Sequence, residues 1–222
     1  MHRPSIETED RIGVAILAKA PIPGLAKTRL IPRLGENGAA LLQRWLLQRT
    51  VAMAIVADVG PVTLWCTPDI RHPDFALCRT FGSVTLRQQP NGDLGERMRI
   101  AIEESPTRAG TLVIGTDCPA LTSGLLRSAA ETLSTRDAVV IPAEDGGYVL
   151  IGMRDAAQPV FRDIDWSTGQ VMAQTRERLK ETGWQWSELG RLWDVDRLED
   201  YLRLRELFPE VNRLAFDQER VT

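Results

Sequence analysis

Apolar runs alternate with amphipathic helical segments along this chain, and this alternation constrains the fold more than any other feature of the sequence. The runs typical of strands are IGVAILA (12–18), PVTLWC (61–66), SVTLRQ (83–88), TLVIG (111–115), DAVVIPA (137–143) and YVLIGM (148–153). Several are apolar throughout, as expected for strands that are buried on both faces of a sheet. Helical periodicity is found at 36–58, 94–104, 123–133, 168–182 and 197–208. The alternation predicts an α/β fold with a mostly parallel sheet.

The length of the sequence and its lack of repeats and linkers indicate one domain. A chain of 222 residues is long enough to bury a substantial core. The sequence contains no repeat, low-complexity segment or linker that would mark a second domain. We therefore expect a single domain over residues 1–222, with loose termini at 1–10 and 210–222.

The composition argues against several classes of partner. The formal net charge is only −3, which gives no global signal for binding to nucleic acid or to a membrane. No apolar run approaches the roughly 20 residues of a membrane span, and the polar start MHRPSIETEDR is unlike a signal peptide. The three cysteines, Cys66, Cys78 and Cys118, fit no zinc spacing and are odd in number. We expect a cytoplasmic protein, monomer or homodimer, that acts on small molecules.

Histidine is nearly absent, which limits the chemistry available to the chain. The sequence holds only His2, near the start of the chain, and His72, in the polar stretch DIRHPD. A serine or cysteine triad would have to use one of these two, and a histidine-rich zinc site is excluded. Any reaction must therefore rest on carboxylates, lysines, arginines and backbone amides.

Four polar loops follow predicted strands and contain glycine, proline and charged residues that could bind a ligand. They span residues 19–29, 89–95, 116–122 and 143–147. Ligands of open α/β sheets bind beyond the carboxyl ends of the strands. We therefore expect these loops to converge on one edge of the sheet and to form the binding site there.

The first of these loops, within AKAPIPGLAKTRL, is basic and stiff. It is not a Walker A loop, because Gly24 stands three residues before Lys27 instead of directly before it. Proline stiffens the loop, glycine allows close approach to a ligand, and arginine can bind two phosphate oxygens at once. The alternative is a solvated loop with incidental charge; we favour phosphate binding because the loop follows a core strand. The expected nucleotide contacts here are Ala18, Lys19, Pro21, Gly24, Lys27 and Arg29.

The segment IGTDCPAL places Asp117 directly after the fourth strand. A carboxylate at this edge is a suitable ligand for Mg²⁺, which often combines one or two protein carboxylates with phosphate oxygens. The alternative is a turn aspartate that bonds its own backbone. Cys118 is interpreted as a small packed residue, since no histidine is placed to activate it.

Two further loops have both structural and ligand-binding interpretations. In PNGDLGERM, Asp93 and Glu96 have the spacing of a helix N-cap and its reciprocal partner, and the helix start could also receive a nucleotide. The expected contacts there are Gly92, Asp93 and Gly95. In PAEDGGYVLIGM, the ED-GG sequence fits a hairpin turn whose tip could also present carboxylates to an acceptor. The expected acceptor contacts are Glu144, Asp145, Gly146, Gly147 and Tyr148.

The late segment RLWDVDRLEDY offers two further carboxylates, Asp194 and Asp196. One of them could complete a metal site with Asp117. The other would cap the helix that follows, where Asp196 and Glu199 have capping-box-like spacing. The residues alone leave open which of the two contacts metal.

Taken together, six segments resemble those of a bacterial glycosyltransferase-like family with the nucleotide-diphospho-sugar transferase (GT-A) fold. They are AKAPIPGLAKTRL, GDLGERM, IGTDCPAL, PAEDGGYVLIGM, IDWSTGQV and WDVDRLEDY, and they run in order from residue 18 to residue 201. More distantly, the chain is similar to the molybdenum-cofactor and phospholactate guanylyltransferases and to the sugar-1-phosphate nucleotidyltransferases. The resemblance spans nearly the whole chain.

The resemblance implies a Rossmann-like three-layer αβα sandwich with a mixed, mostly parallel sheet that binds a nucleotide at its first half. It implies that Lys27 and Arg29 match the phosphate-binding K-x-R-L end of the first loop, that Asp117 matches the metal aspartate, and that residues 144–148 face the acceptor. The DVD of 194–196 matches a late acidic motif that supplies a second metal ligand. The family's D-x-D-T-P-E-D form is DVDRLED here, a departure that bears on the metal assignment of Asp196.

Three functions follow as hypotheses. The first is an Mg²⁺- or Mn²⁺-dependent nucleotidyltransferase that moves a nucleoside monophosphate from a nucleoside triphosphate to a phosphorylated small molecule, with Lys27, Arg29 and Asp117 as catalytic residues. The second is a glycosyltransferase with a nucleotide-sugar donor, in which Glu144 or Asp145 activates an acceptor hydroxyl. The third is a nucleotide-binding regulator without turnover. The base and the acceptor do not follow from the sequence.

Overall fold

The structure is a computed structural model that describes residues 10–156 and 158–215. Its centre is one seven-stranded sheet. The strands are β1 Gly13–Lys19, β2 Val62–Thr67, β3 Val84–Gln88, β4 Thr111–Ile114, β5 Ala138–Pro142, β6 Tyr148–Met153 and β7 Trp186–Glu188. The six predicted strands are present with their ends shifted by a residue at most. Five of them are buried runs in the interior of the sheet, whereas β3 is a mostly exposed edge strand.

The strand order, β3-β2-β1-β4-β6-β5-β7, decides where the loops meet. β1 is parallel to both β2 and β4, and β2 is parallel to β3. β6 is antiparallel to β4 and to β5, so β5 again points the same way as β4, and β7 is parallel to β5. The sheet is therefore mixed and mostly parallel, and every strand except β6 has its carboxyl end at the same edge.

Helices cover both faces of the sheet. They are α1 Ile31–Ala57, α2 Pro73–Leu77, α3 Leu94–Glu103, α4 Ser123–Thr135, α5 Gln158–Phe161, α6 Val171–Glu181 and α7 Leu198–Leu207, with 3₁₀ segments at Thr28–Leu30, Cys78–Phe81 and Pro209–Ala215. Among these helices, none is long and apolar enough to cross a membrane.

The core divides into two layers because successive strand residues point to opposite faces. On one face, Val14 of β1 and Leu112 of β4 pack against Leu47 of α1 and Leu126 of α4. The other face packs against α3, α5 and α6, through residues that include Ala15, Val113, Met98, Val160 and Met172. This three-layer αβα sandwich confirms the predicted fold class.

A third cluster joins α1 to the end of the described chain. Leu42 and Leu46 of α1 pack with Trp193, Val195 and the buried residues of α7 and the last 3₁₀ segment. Val211 of that segment is only 1 % exposed. The segment from residue 210 was expected to be loose, but Val211 packs into this cluster. The helical periodicity of the sequence gave no sign of this contact, because Val211 lies beyond the last predicted helix. Residues 1–9 and 216–222, the remainder of the predicted loose ends, lie outside the described residues.

Several elements differ from the sequence-based expectation, among them the short helices α2 and α5, which were not predicted. The first helix begins at Ile31 instead of residue 36, with a kink at Gly35, whose φ is 69°. The strand β7 was not predicted, since WQWSEL offers only three paired residues that are mostly half-exposed at the sheet edge. A strand this short carries too little alternation to be recognised without its partner.

Candidate functional site

The loops after β1, β4, β5 and β7 meet at the carboxyl edge of the sheet. Backbone hydrogen bonds fix the segment after β7 alongside the others: Leu192 N–H donates to Pro142, Glu144 N–H donates to Leu192, and Val195 N–H donates to Asp117. These bonds bring the late acidic segment against the loops that carry Asp117 and Asp145. Four segments far apart in the sequence thus form one site.

Lys27 lies at the centre of this site. Its Nζ is 2.7 Å from Oδ1 of Asp117 and donates to the carbonyl oxygen of Val195 at 2.7 Å. Its side chain is only 5 % exposed. Its φ of 47° places it in the left-handed region, which a non-glycine residue adopts at a cost that tertiary contacts must offset. Lys27 therefore links the first loop to the acidic residues at the end of β4 and after β7.

Asp194 is the second carboxylate at this centre. The pKa of Asp194 is raised to about 6, chiefly by burial and then by the negative charges of Asp145 and Asp117, while the ammonium group of Lys27 opposes the shift. Trp193 and Val195 on either side of it are buried in the third cluster. Asp194 is thus held among other acidic side chains with incomplete charge compensation, a situation that a bound cation would relieve.

Asp196 has a different partner. Its carboxylate pairs with Arg29, and both side chains are about half-exposed. The spacing with Glu199 does not form a capping box, because the carboxylate of Asp200 accepts the N–H groups of Asp196 and Arg197 at the start of α7. Of the two candidates, the structure brings Asp194 to Asp117 and holds Asp196 with Arg29.

The acidic residues do not form a complete metal cage. Among residues 10–156 and 158–215, no group of three or more histidine, cysteine, aspartate or glutamate side chains is arranged to hold a metal ion. Asp117 and Asp194 could supply carboxylate oxygens, and Mg²⁺ or Mn²⁺ commonly takes one or two of these with phosphate and water oxygens. The donor set therefore fits a cation that arrives with a phosphorylated ligand.

The other residues of the first loop shape it or point to solvent. Ala18 is fully buried, and its carbonyl oxygen accepts a bond from Nε2 of Gln89. Pro21 is buried and Lys19 is exposed. Gly24 has a φ of 78° and lies against Glu36, so a side chain at this position would be strained. Of the cations predicted to hold phosphate, Lys19 and Arg29 are solvent-accessible and Lys27 is enclosed.

The loop after β3 combines a helix cap with tight packing. The Asp93 carboxylate accepts the N–H of Glu96 at 2.8 Å, which confirms the predicted N-cap. The reciprocal bond is replaced, since the Glu96 carboxylate pairs with Arg99 and the pKa of Glu96 is lowered by that bond. Gly92 has a φ of 123°. A Cβ on Gly95 would lie 2.6 Å from Trp166, so this glycine is required for packing against the IDWSTGQV segment.

The ED-GG turn is held from both sides. Glu144 pairs with Arg203 of α7 at 2.8 Å, and Asp145 Oδ1 accepts the N–H of Gly147 at 2.9 Å. A Cβ on Gly146 would lie 2.2 Å from the carbonyl oxygen of Gly169. The turn is therefore fixed in place, with the carboxylate of Asp145 near Asp194.

Tyr148 and Cys118 are packed residues. The phenol of Tyr148 stands edge-on to Trp166, its hydroxyl lies 3.7 Å from Sδ of Met98, and burial raises its pKa. Burial also raises the pKa of the Cys118 thiol to about 12, so the thiol stays protonated at neutral pH. Tyr148 therefore directs its polar atom into the molecule instead of toward an acceptor.

Sequence reasoning missed the residues that hold these groups in place. Two glutamines donate to backbone carbonyl oxygens at the end of β1: Gln43 to that of Lys19 and Gln89 to that of Ala18. Thr116 donates to Asp117, and Arg203 donates to Glu144. Gln43 alone carried a signal, as a polar residue on the apolar stripe of a predicted helix. The others have no recognisable spacing.

Comparison with known proteins places this chain in a family. A family of uncharacterized proteins conserved in bacteria (DUF2064) matches residues 50–168, more than half of the chain. The chain belongs to this family. The matched segment contains Asp117 and the ED-GG turn, whereas Lys27 and Asp194 lie outside it. No curated protein matches the sequence.

Solved structures extend the comparison over the whole domain. A candidate nucleotide-diphospho-sugar transferase from Desulfovibrio desulfuricans G20 is 27% identical, with a TM-score of 0.78 over 91% of this chain and 96% of its own. A nucleotidyl transferase from Methanothermobacter thermautotrophicus is 18% identical, with a TM-score of 0.63 over 91% and 100%. A Mycobacterium tuberculosis H37Rv protein in complex with manganese is 18% identical, with a TM-score of 0.50 over 90% and 100%. The fold is that of nucleotide-diphospho-sugar transferases, and the chain is of the transferase type.

Proposed function

We propose that this chain is a nucleotidyltransferase that depends on a divalent cation and moves a nucleoside monophosphate from a nucleoside triphosphate to a phosphorylated small molecule. The observation that carries the proposal is the convergence of Lys27, Asp117 and Asp194 at the carboxyl edge of the sheet. Cations and a carboxylate pair in one place suit a ligand that brings both phosphate and metal.

Within this proposal the chain binds and orients, and it need not supply a strong base. Lys19 and Arg29 are accessible to phosphate oxygens, and Lys27 holds the carboxylates together. Asp117 and Asp194 would hold Mg²⁺ or Mn²⁺, which when bound would neutralise phosphate charge. A phosphate oxygen of the acceptor would attack the α-phosphorus, and the bond to pyrophosphate would break. The phosphate of the acceptor is already an anion, which suits a site without histidine.

The similar structures support both parts of the proposal. One neighbour is a nucleotidyl transferase, and another was solved with manganese. The metal is assigned to Asp117 with Asp194, because Asp196 is taken by Arg29. A cytoplasmic location and a single transferase domain are part of the same proposal.

Glycosyl transfer from a nucleotide sugar is a second candidate, favoured by the 27% identical protein described as a nucleotide-diphospho-sugar transferase. It would require a carboxylate to activate an acceptor hydroxyl. Glu144 is paired with Arg203, which leaves Asp145, beside Asp194, as the candidate base. We place this candidate second because it needs that extra base.

Calorimetry and product analysis test the proposal. Each of the four common nucleoside triphosphates is titrated into the wild type, Asp117→Asn and Asp58→Asn with Mg²⁺ or Mn²⁺ present. Asp58 is a control because its side chain is 81% exposed, paired with Arg11 and outside the site. We expect metal-dependent binding to the wild type and to Asp58→Asn, and weaker binding to Asp117→Asn. No binding of any triphosphate to the wild type would refute the proposal.

Phosphorus NMR of reactions with a panel of sugar phosphates and other phosphorylated small molecules then separates the candidates. Release of pyrophosphate supports nucleotidyl transfer. Release of nucleoside diphosphate from a nucleotide sugar supports the second candidate. Tight nucleotide binding without product in any of these reactions supports a regulator instead of an enzyme.

A further inference from the structure

Gln43 is a polar side chain in the apolar stripe of α1. It is 3% exposed and lies next to the buried residues Leu42, Leu46 and Leu47. A buried amide is costly unless its hydrogens are bonded. Its Nε2 donates to the carbonyl oxygen of Lys19 at 3.3 Å and to Oγ1 of Thr116 at 3.1 Å. The amide therefore joins α1 to the carboxyl ends of the neighbouring strands β1 and β4.

Thr116 passes this contact on to Asp117. Its side chain is buried, and its Oγ1 lies 3.3 Å from Oδ1 of Asp117. A hydroxyl has one hydrogen, and because it accepts from Gln43 that hydrogen is available to the carboxylate. Lys27 Nζ donates to the same oxygen, Oδ1, at 2.7 Å. Two donors thus converge on one carboxylate oxygen, Oδ1, and neither of these contacts uses Oδ2.

We propose that Gln43 and Thr116 are positioning residues that fix the Asp117 carboxylate for a divalent cation and, through Lys19, the start of the phosphate loop. The inference rests on the proposed function, since it takes Asp117 as a metal ligand. Partners that orient a ligating carboxylate commonly change metal affinity by about 10- to 100-fold when they are removed. Here the support comes from α1, so the helix that packs the core also sets the geometry of the site.

The chain offers a matched control for the alternative that these are ordinary buried polar residues. Thr111 stands at the opposite end of β4 and is 2% exposed. Its Oγ1 has no hydrogen-bond partner within the part of the chain that the structure describes. Thr111→Val therefore removes a buried hydroxyl from the same strand without touching the site.

The experiment measures Mn²⁺ binding by the electron paramagnetic resonance signal of the free ion, with and without each of the four common nucleoside triphosphates. The variants are Thr116→Val, which keeps the shape, Thr116→Ser, which keeps the hydroxyl, Gln43→Met and Thr111→Val. We expect Thr116→Val and Gln43→Met to weaken Mn²⁺ binding about 10-fold or more. Thr116→Ser should stay within about threefold of the wild type, and Thr111→Val should match it, with thermal unfolding recorded for every variant.

The outcomes separate this inference from the proposed function. If the wild type binds Mn²⁺ and Thr116→Val binds it equally well, the positioning role is refuted while the metal site stands. Equal losses in Thr116→Ser and Thr116→Val would assign the effect to packing and also refute it. A wild type that binds no Mn²⁺ under any condition would overturn the metal assignment and this inference together. Loss in Thr116→Val with rescue by Thr116→Ser supports it.

Discussion

The ammonium nitrogen of Lys27 lies 2.7 Å from Oδ1 of Asp117 in a pair whose lysine side chain is 5% exposed and whose aspartate is 51% exposed. The two residues lie in loops that follow different strands, β1 and β4, and the lysine also donates to the carbonyl oxygen of Val195. The pair therefore holds the phosphate loop, the end of β4 and the late acidic segment together. It also places a positive charge beside Asp194, where the carboxylates would otherwise repel one another.

Replacing Lys27 by Met should destabilise the fold as well as the site. The substitution keeps the length of the side chain but leaves the Val195 carbonyl oxygen without its donor and the carboxylates without a counter-charge. We expect the free energy of unfolding to fall by about 1–3 kcal/mol in urea denaturation. Lys180→Met is the control, because Lys180 pairs with Glu177 on the exposed surface of α6 and should change stability little. Equal stabilities of the two variants would contradict the role assigned to Lys27.

Asp194 should give the protein a distinctive dependence on pH. Its pKa in the folded state is raised to about 6, chiefly by burial and then by Asp145 and Asp117. The folded state thus binds a proton that the unfolded state has already released, and stability falls as pH rises from about 4 to about 6. Urea midpoints measured across this range should show that fall in the wild type and a weaker one in Asp194→Asn. The exposed substitution Asp58→Asn should keep the wild-type profile.

The same group should couple metal binding to protons. A carboxylate must be ionised to ligate a cation, so Mn²⁺ affinity should rise as pH increases through about 6 and binding should release a proton. Titration calorimetry in two buffers with different ionisation enthalpies measures that proton. An affinity that is constant between pH 5 and pH 7 would count against Asp194 as a ligand.

Gly146→Ala should disrupt the turn that carries Asp145. The φ of Gly146 is 93°, and the new Cβ would lie 2.2 Å from the carbonyl oxygen of Gly169. We expect a loss of at least about 1–2 kcal/mol in unfolding free energy from the backbone conformation alone, and a displaced turn. Gly190→Ala is the matched control, since nothing lies within 4 Å of its Cβ position. Denaturation of the two variants side by side checks this, and a Gly146→Ala protein as stable as the control would contradict it.

Two arginine–aspartate pairs have similar hydrogen-bond geometry but differ in burial, so that comparing them shows how burial changes the contribution of a pair to stability. Arg44 binds both oxygens of Asp74, whose side chain is 3% exposed, and Arg71 binds both oxygens of Asp69, which is half-exposed. Asp74→Ala should lower the unfolding free energy by about 1.5–3 kcal/mol, because the charged hydrogen bonds from Arg44 to a buried carboxylate are lost. Asp69→Ala should have a much smaller effect, since water screens that pair. Chemical denaturation of both variants provides the comparison, and similar losses would contradict it.

The layers of the fold could be predicted from the sequence because they depend on local periodicity. The continuous apolar runs of β1, β4 and β5 require cover on both faces, and amphipathic segments such as α3 and α4 provide it. The strand order and the edge strand β7 could not be read in this way. They depend on pairing between segments far apart in the chain, and three half-exposed residues carry no periodic signal.

The sequence by itself determined which residue types stand in the loops after which strands, and a short loop that follows a buried strand must begin at the carboxyl end of that strand. That was enough to bring Lys27, Asp117 and Asp145 to one edge. Only the tertiary structure distinguished the surroundings of Asp194 from those of Asp196, because Asp196 pairs with Arg29 while Asp194 is enclosed among Asp117, Asp145 and Lys27. Asp194 is held in its position because its neighbours Trp193 and Val195 pack against α1 and α7. Such long-range packing cannot be predicted from the spacing of the two aspartates in DVD.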